Sequence, residues 1–555
     1  MLGGMTTRWK QVVQYEFTAN SYCADAVLEK LRFLVRRSAS IGVTVRVIIS
    51  DMGPQNCAFW RLLNISAQRH GKIHNYCQHP VNSNEKLYVM PDPVHLFKNI
   101  ANNLLKNKRF YLSDEIVVKY GLPCNYVDIA PVKYIFDTES SQELKSAPKL
   151  KEEMFDPSHF SKMNVNTAYA LLNHDTAASI IYYMAKGNLP KEAGTTAWFC
   201  ATLFKWFSLM TARHPKLGLS HKNAAIYQET LKFLTDFIDI VCNIMINNQW
   251  KPFQTGLLLA TQTALDLQEQ YLHKDDFDFF LLGRLTQDAL ENLFSVVRSR
   301  TATPGAREFT TALRLITLSQ YESQIVHGNY FKDNSAHIMT YCKKIISEAS
   351  IEEEEEEEVS DEFVGLIPQL TENVEPSSDD IECLYYLLGS ILASLEKMSC
   401  EKCFLQLVYK KEDEELKNNT LGLLTRLKCY KENILHFPKV EFFNYIVRAE
   451  MYFRGNKHLL LNNKKTFIDV SNEFLGENQY SASPTCHPIV NKIVHIFVRT
   501  RFFFSLRHEN KFIHKKIVTN SVNIRSSKSI AMRVWQTKCN KRFQYFLRLS
   551  FRLFT

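Results

Sequence analysis

The chain of 555 residues is 45% hydrophobic and 23% charged with a net charge of +9, an ordinary globular composition sized for about three or four domains. Its longest greasy stretch, 233–246, is interrupted by Asp236, Asp239 and Asn243, short of the roughly 18–20 uninterrupted apolar residues of a membrane span. The opening MLGGMTTRWK lacks the apolar core of a signal peptide, and thirteen scattered cysteines suit a reducing compartment, so neither a membrane nor a secreted protein is expected.

The first hundred residues alternate in the manner of an α/β domain. Residues 9–17 (WKQVVQYEF) read as a strand, and 22–37 place Val27, Leu31, Leu34 and Val35 on one helical face. Residues 43–49 (VTVRVII) are β-branched and nearly continuous, as a buried parallel strand should be, with Asp51 just past their end. A helix over 54–68, a short strand over 86–90 and a helix opened by Pro91-Asp92-Pro93 complete a mostly parallel sheet with right-handed crossovers. From about 107 to 280 the chain is helix-rich without comparable β-branched runs, with candidate helices at 165–185, 196–211 and 224–247. Residues 285–300 (LTQDALENLFSVVRSR) form an amphipathic helix with Leu290, Leu293, Phe294 and Val297 on its apolar side. Seven consecutive glutamates, 352–358, sit in a Ser/Glu/Asp/Pro-rich stretch, so 346–380 is expected to be a disordered linker. A second helical segment follows at 381–453. From 488 to 555 there are 15 Lys/Arg against one acid, Glu509, a local +14 that leaves about −5 for the rest. Such a stretch suits phosphate contacts, with a solvated tail as the plain alternative.

Ligands of an open α/β sheet bind beyond the C-terminal ends of its strands, where Asp51 stands. Glu291 projects from a helix, with Asp288 one turn before it. An Asp at a strand end and a Glu on a helix are the ingredients of a magnesium-carboxylate site for phosphodiester chemistry. Helix caps or surface charges are the plain alternative.

The words ISDMGPQN, DPVHLFKNIANNLL and LTQDALENLFSVVRSR occur in that order, with about 190 residues between the last two. Together they resemble the P-element and THAP-domain transposase family, over about 3–344 and again over about 381–505. The resemblance implies an α/β RNase H-like domain split by a large helical insertion of the GTP-binding type, then an acidic linker and an all-α C-terminal domain. The implied boundaries are 5–106 and 281–345 for the core, 107–280 for the insertion, 346–380 for the linker, 381–510 for the C-terminal domain and 511–555 for a basic tail, whose native origin is left open. By resemblance Asp51 is the second catalytic Asp and Glu291 the catalytic Glu, both ligands of Mg, while Asp288 belongs with the nucleotide site. Asp92, His95, Lys98 and Asn99 match the DPxHLxKN signature. Asp92 reads equally well as a helix N-cap followed by Pro at N1. His95 and Lys98 are expected to contact DNA, contact the insertion or pack.

Two departures from the family pattern stand out. The family's first catalytic Asp lies on a strand upstream of the segment matching WKQVVQYEF, and here only eight residues precede Trp9, none acidic. The first strand and the zinc-binding THAP domain are therefore expected to be absent, with magnesium poorly held and cleavage or strand transfer impaired. At the place of an FDxxNS-like guanine-reading motif the chain has FSLMTA, with Ser208 for the Asp and Thr211 for the Asn. A hydroxyl cannot replace a carboxylate that accepts both guanine N–H groups, so GTP binding is not expected, although Lys149 and the backbone at Val165 could still meet phosphates. Cys400 and Cys403 (C-x-x-C) with Cys486 and His487 are two knuckle-like pairs that could hold Zn, with buried thiols as the alternative. Arg499, Arg501, Arg507, Lys511, Lys515 and Lys516, interleaved with phenylalanines, form a candidate DNA-binding array. DNA is the implied partner, a homo-oligomer is left open, and the nucleus is the implied location. The competing reading is a domesticated, nonenzymatic nuclear protein that binds DNA or proteins. An incomplete gene model is a third.

Overall fold

The computed structural model describes residues 1–5, 9–18, 23–156, 164–298, 303–325, 375–396, 399–410, 413–430, 434–461, 465–482 and 488–520, with backbone alone for 319–325, 417–418 and 511–520. They fall into two compact units. The first draws on Met1–Ile129, Glu153–Asn173 and Trp198–Glu358, the second on Ala130–Glu152, His174–Ala197 and Val359–Thr555.

The first unit opens with β1 (Leu2–Gly3) and β2 (Lys10–Gln11), which pair antiparallel, followed by α1 (Ala24–Ala39). The strand read over 9–17 is thus confined to two residues. The rest of that segment has no ladder of its own, and Tyr15 and Phe17 instead meet the Phe309 ring edge-on at 5.5 and 5.8 Å. Aromatic and β-branched content marks a segment that can pack on a pleated surface, not one that has found a partner strand.

The central sheet follows as β3 (Val47–Ser50), α2 (Pro54–Leu62), β4 (Tyr76–Gln78), β5 (Lys86–Pro91) and α3 (Pro93–Asn107). β5 lies in the middle, parallel to β3 (Val47 opposite Tyr88, Ser50 opposite Pro91) and antiparallel to β4. The expected crossover between parallel strands is therefore present, while the third strand makes the sheet mixed. β5 is buried from Leu87 onward, flanked by β3 and β4 and covered by the helix Pro252–Gln268, which also packs against α3. Polar bonds fix the latter to the sheet. Thr263 Oγ1 donates to the Val89 carbonyl at 3.0 Å, and buried Asn75 donates from Nδ2 to Thr263 and Asp266 at 3.1 and 2.9 Å. A β-carbon at Gly256 would come within 2.4 Å of Leu96 and 3.0 Å of Met52, so glycine permits this helix to sit directly on α3 and on the residue beside Asp51.

The region read as helix-rich also carries a second sheet. Arg109–Leu112 pairs antiparallel with Tyr126–Asp128 on one side and Ile244–Met245 on the other. Strands of two to four residues are too short to show an alternating pattern against flanking helices, which is why the sequence hides them. The remaining helices of this unit include Val165–Leu171, Ala224–Cys242, Asp288–Arg298 and Ala306–Ile325. Aromatic contacts join the helix Ala193–Met210 to its neighbours: Phe207 stacks on Phe97 of α3 at 4.1 Å, and Trp206, fully buried, stacks on Phe237 at 5.2 Å while its indole donates to Thr261.

The second unit is helical, with Ala130–Glu139, His174–Ala185, Ser378–Leu395, Leu423–Lys428, Val440–Leu461, Phe467–Glu477 and Ile489–Asn520 as its main elements. Helix Ser378–Leu395 starts inside the stretch read as linker, because Ser377 and Asp380 form a reciprocal capping box. Residues 352–358 lie outside the described residues. The final helix continues past 510, so the tail boundary read there falls within a helix. No helix among the described residues is long and apolar enough to cross a membrane.

Candidate functional site

Asp51 follows the last residue of β3, and its carboxylate is shaped by the turn that leads into α2. Oδ1 accepts the Gly53 N–H at 2.8 Å and the Asn56 side-chain amide at 2.7 Å. A β-carbon at Gly53 would lie 2.9 Å from that same oxygen, so the MGPQN turn needs glycine for the close approach of backbone to carboxylate. Two donors on one oxygen fix the direction of the other, Oδ2, which lies 4.0 Å from Nδ1 of His95. Asn56 was not among the residues singled out from sequence, although its place in the turn after an Asp at a strand end was the available signal.

His95 sits on the first turn of α3, where Asp92 serves as N-cap by accepting the His95 backbone N–H at 3.0 Å, with Pro93 at N1. The helix-cap reading of Asp92 therefore holds. The Asp92 side chain is 1% exposed, and burial pushes its carboxyl up from the ordinary range against the two backbone N–H groups it accepts. The imidazole reaches across to Glu291, with Nε2 at 2.8 Å from Oε1, and Lys98, one turn further along α3 and largely buried, brings Nζ to 3.9 Å of the same oxygen. Asp51 and Glu291, 240 positions apart in sequence, thus converge on one imidazole. Their carboxylates are about half exposed, 42% and 47%, and the imidazole 26%, so the constellation opens to solvent. His95 and Lys98, read as signature residues of open role, stand at its centre; the i, i+3 spacing at a helix start was the signal for that.

Asp288 begins the same helix as Glu291. It accepts the Thr286 hydroxyl at 2.8 Å and pairs with Arg213. Ser208 lies on the helix Ala193–Met210, and the Thr211 hydroxyl just beyond it donates back to the Phe207 carbonyl at 2.7 Å. Val165 opens the helix Val165–Leu171 in the first unit, while Lys149 belongs to the second unit and pairs with Asp175 at 3.0 Å.

Magnesium favours near-octahedral oxygen coordination at roughly 2.0–2.1 Å, and the described donors do not fit a magnesium pair. One Asp51 oxygen is already committed to two N–H donors. Glu291 Oε1 is engaged by His95 and Lys98, and an imidazole lies between the two carboxylates. Among the described residues no group of three or more His, Cys, Asp or Glu is arranged to hold a metal ion. Of the candidate zinc ligands, Cys403 is buried and Cys400 precedes the helix Glu401–Leu405, while Cys486 and His487 lie outside the described residues.

The candidate DNA-binding array is corrected at one position. Arg501 is 1% exposed, and its guanidinium donates to Glu450 at 2.7 and 2.8 Å and contacts Glu143 at 2.9 Å. A buried cation held by two carboxylates is not available to a phosphate. Arg499 is half-buried and Arg507 exposed. Lys511, Lys515 and Lys516 lie on the same helix, with side chains outside the described residues.

Comparison with known proteins places these observations among relatives. Residues 1–64 match the TNP-like RNase H N-terminal domain family. The transposable element P transposase of Drosophila melanogaster is 26% identical over 346 residues, 60% of this chain and 42% of that protein, so the chain spans less than half of its relative's length. A solved structure, the Drosophila P element transposase strand transfer complex, is similar with a TM-score of 0.49 and 22% identity, covering 56% of this chain and 67% of that one.

Proposed function

We propose that this protein is a P-element-like transposase derivative that binds DNA beside the Asp51–His95–Glu291 constellation and is impaired in phosphodiester cleavage and strand transfer. The observation that carries this reading is the convergence of two carboxylates on one imidazole. It supports descent from a carboxylate active site, since a strand-end Asp and a distant helical Glu have no packing reason to meet in the open. It also supports impairment, because two acids flanking an imidazole supply too few oxygen ligands for metal-assisted hydrolysis. In the same reading the segment between the sheet and the Glu291 helix corresponds to an insertion into an RNase H-like core.

The chain's own residues still have work at such a site. Glu291 hydrogen-bonds the His95 ring, Asp51 lies 4.0 Å from its other nitrogen, and Lys98 offsets the charge of Glu291. A DNA phosphate approaching from solvent would meet His95 and Lys98 as donors and the carboxylates as the groups that orient them. A cleavage assay with magnesium or manganese, on duplex DNA carrying the element's terminal repeats, is expected to show no metal-dependent product. Robust cleavage that disappears in both Asp51→Ala and Glu291→Ala would overturn the impairment.

A further inference from the structure

Asp92 follows β5, a strand buried on both faces, and its two carboxylate oxygens are divided between two helices. Oδ2 accepts the His95 N–H at 3.0 Å and so caps α3; Oδ1 accepts the N–H of Gln287, also at 3.0 Å. Gln287 immediately precedes the Glu291 helix, and its carbonyl accepts the Glu291 N–H at 2.9 Å. One buried carboxylate therefore ties together the amino ends of two helices whose starting residues lie 195 positions apart in the chain. An ordinary N-cap needs only one of these bonds. The positive ends of two helix dipoles meeting at a single anion account for the second.

The geometry points to Asp92 as a positioning residue for the site: by clamping the start of the Glu291 helix to the start of α3, it sets the Glu291 carboxylate against the His95 ring and keeps both beside Asp51. This rests on reading Asp51–His95–Glu291 as the site, though the clamp can be measured without any DNA chemistry. A serine at position 92 separates the two jobs. Its single, shorter hydroxyl can still cap α3, but it leaves the Gln287 N–H without its acceptor.

The experiment uses the full chain carrying Asp92→Ser, with Asp92→Asn as a second variant that keeps one acceptor oxygen and turns an amide N–H₂ toward the other donor. Amide exchange is expected to quicken by about tenfold or more in peptides covering 285–298, while those covering 93–107 and 252–268 keep their protection. In a ¹⁵N-histidine spectrum, the His95 Nε2 resonance should shift as it does in Glu291→Gln, a signature that general loosening would not reproduce. Unchanged exchange in 285–298, an even rise across the whole unit in both variants, or an unmoved His95 resonance would each overturn the clamp. Failure of the cleavage and DNA-binding proposals would leave these readouts untouched, so the two ideas fail separately.

Discussion

Glu450→Gln is expected to destabilise the second unit by about 3 kcal/mol, the cost of taking from a buried guanidinium one of its two charge partners. Arg501 is buried against Phe453 and donates twice to Glu450, which also accepts Arg454 Nε at 2.8 Å. Neutralising Glu450 would break a network that joins the helices Val440–Leu461 and Ile489–Asn520 with the segment around Glu143. Urea-dependent hydrogen exchange of peptides from those two helices reads the loss directly, and a change below 1 kcal/mol would show that the network carries little net stability. Removing both ends with apolar residues, Glu450→Leu with Arg501→Met, should cost less than Glu450→Gln, because no uncompensated charge then stays in that pair.

The same network makes the unit sensitive to acid. Burial by itself would raise the Glu143 carboxyl, but Arg501 and Lys457 outweigh it and bring the group down to about 2. A carboxyl lowered in the folded state contributes stability that is complete above its ordinary range and lost as pH falls toward the folded value. The second unit should therefore lose stability progressively between about pH 5 and pH 2. In Glu143→Gln, stability should be lower at neutral pH and its decline through that window shallower. An acid profile identical in the two proteins would rule Glu143 out as its source.

How much of this was legible in the sequence follows from the range of the interactions involved. Asp92-Pro93 specifies a helix start by local chemistry alone, and the cap is present as read. Asp51 could be placed because a β-branched run has a visible end, and Glu291 because its helix shows a clear apolar stripe. What escaped depends on distant partners. Nothing near Arg501 announces that Glu450 and Glu143 will enclose it, so a basic run interleaved with phenylalanines reads as a solvated array. The second oxygen of Asp92 was hidden for the same reason, its partner Gln287 lying just before a helix 195 positions away. The strand read at 9–17 failed in the opposite sense: its local propensity was right, but only Lys10–Gln11 found a ladder.

Raising salt from about 50 to about 200 mM is expected to weaken duplex DNA binding by about 500-fold. With Arg501 committed to Glu450, the proposed array on the last helix keeps Arg499, Arg507, Lys511, Lys515 and Lys516. If each of these five residues neutralised one phosphate, the released counterions would give log affinity a slope of about −4.5 against log salt. Phosphate contacts fix position but carry no base information, so a scrambled duplex should bind as well as any other. Arg507→Ala should reduce the slope by about one and weaken all sequences alike. Arg501→Met, measured where the protein remains folded, should leave the slope unchanged, because that guanidinium is buried against Glu450 and Glu143. A titration at several salt concentrations decides between these outcomes: a flat response would remove the last helix as an electrostatic DNA contact, a strong preference for one sequence would overturn the sequence independence, and a slope that drops in Arg501→Met would overturn the exclusion of Arg501 from the array.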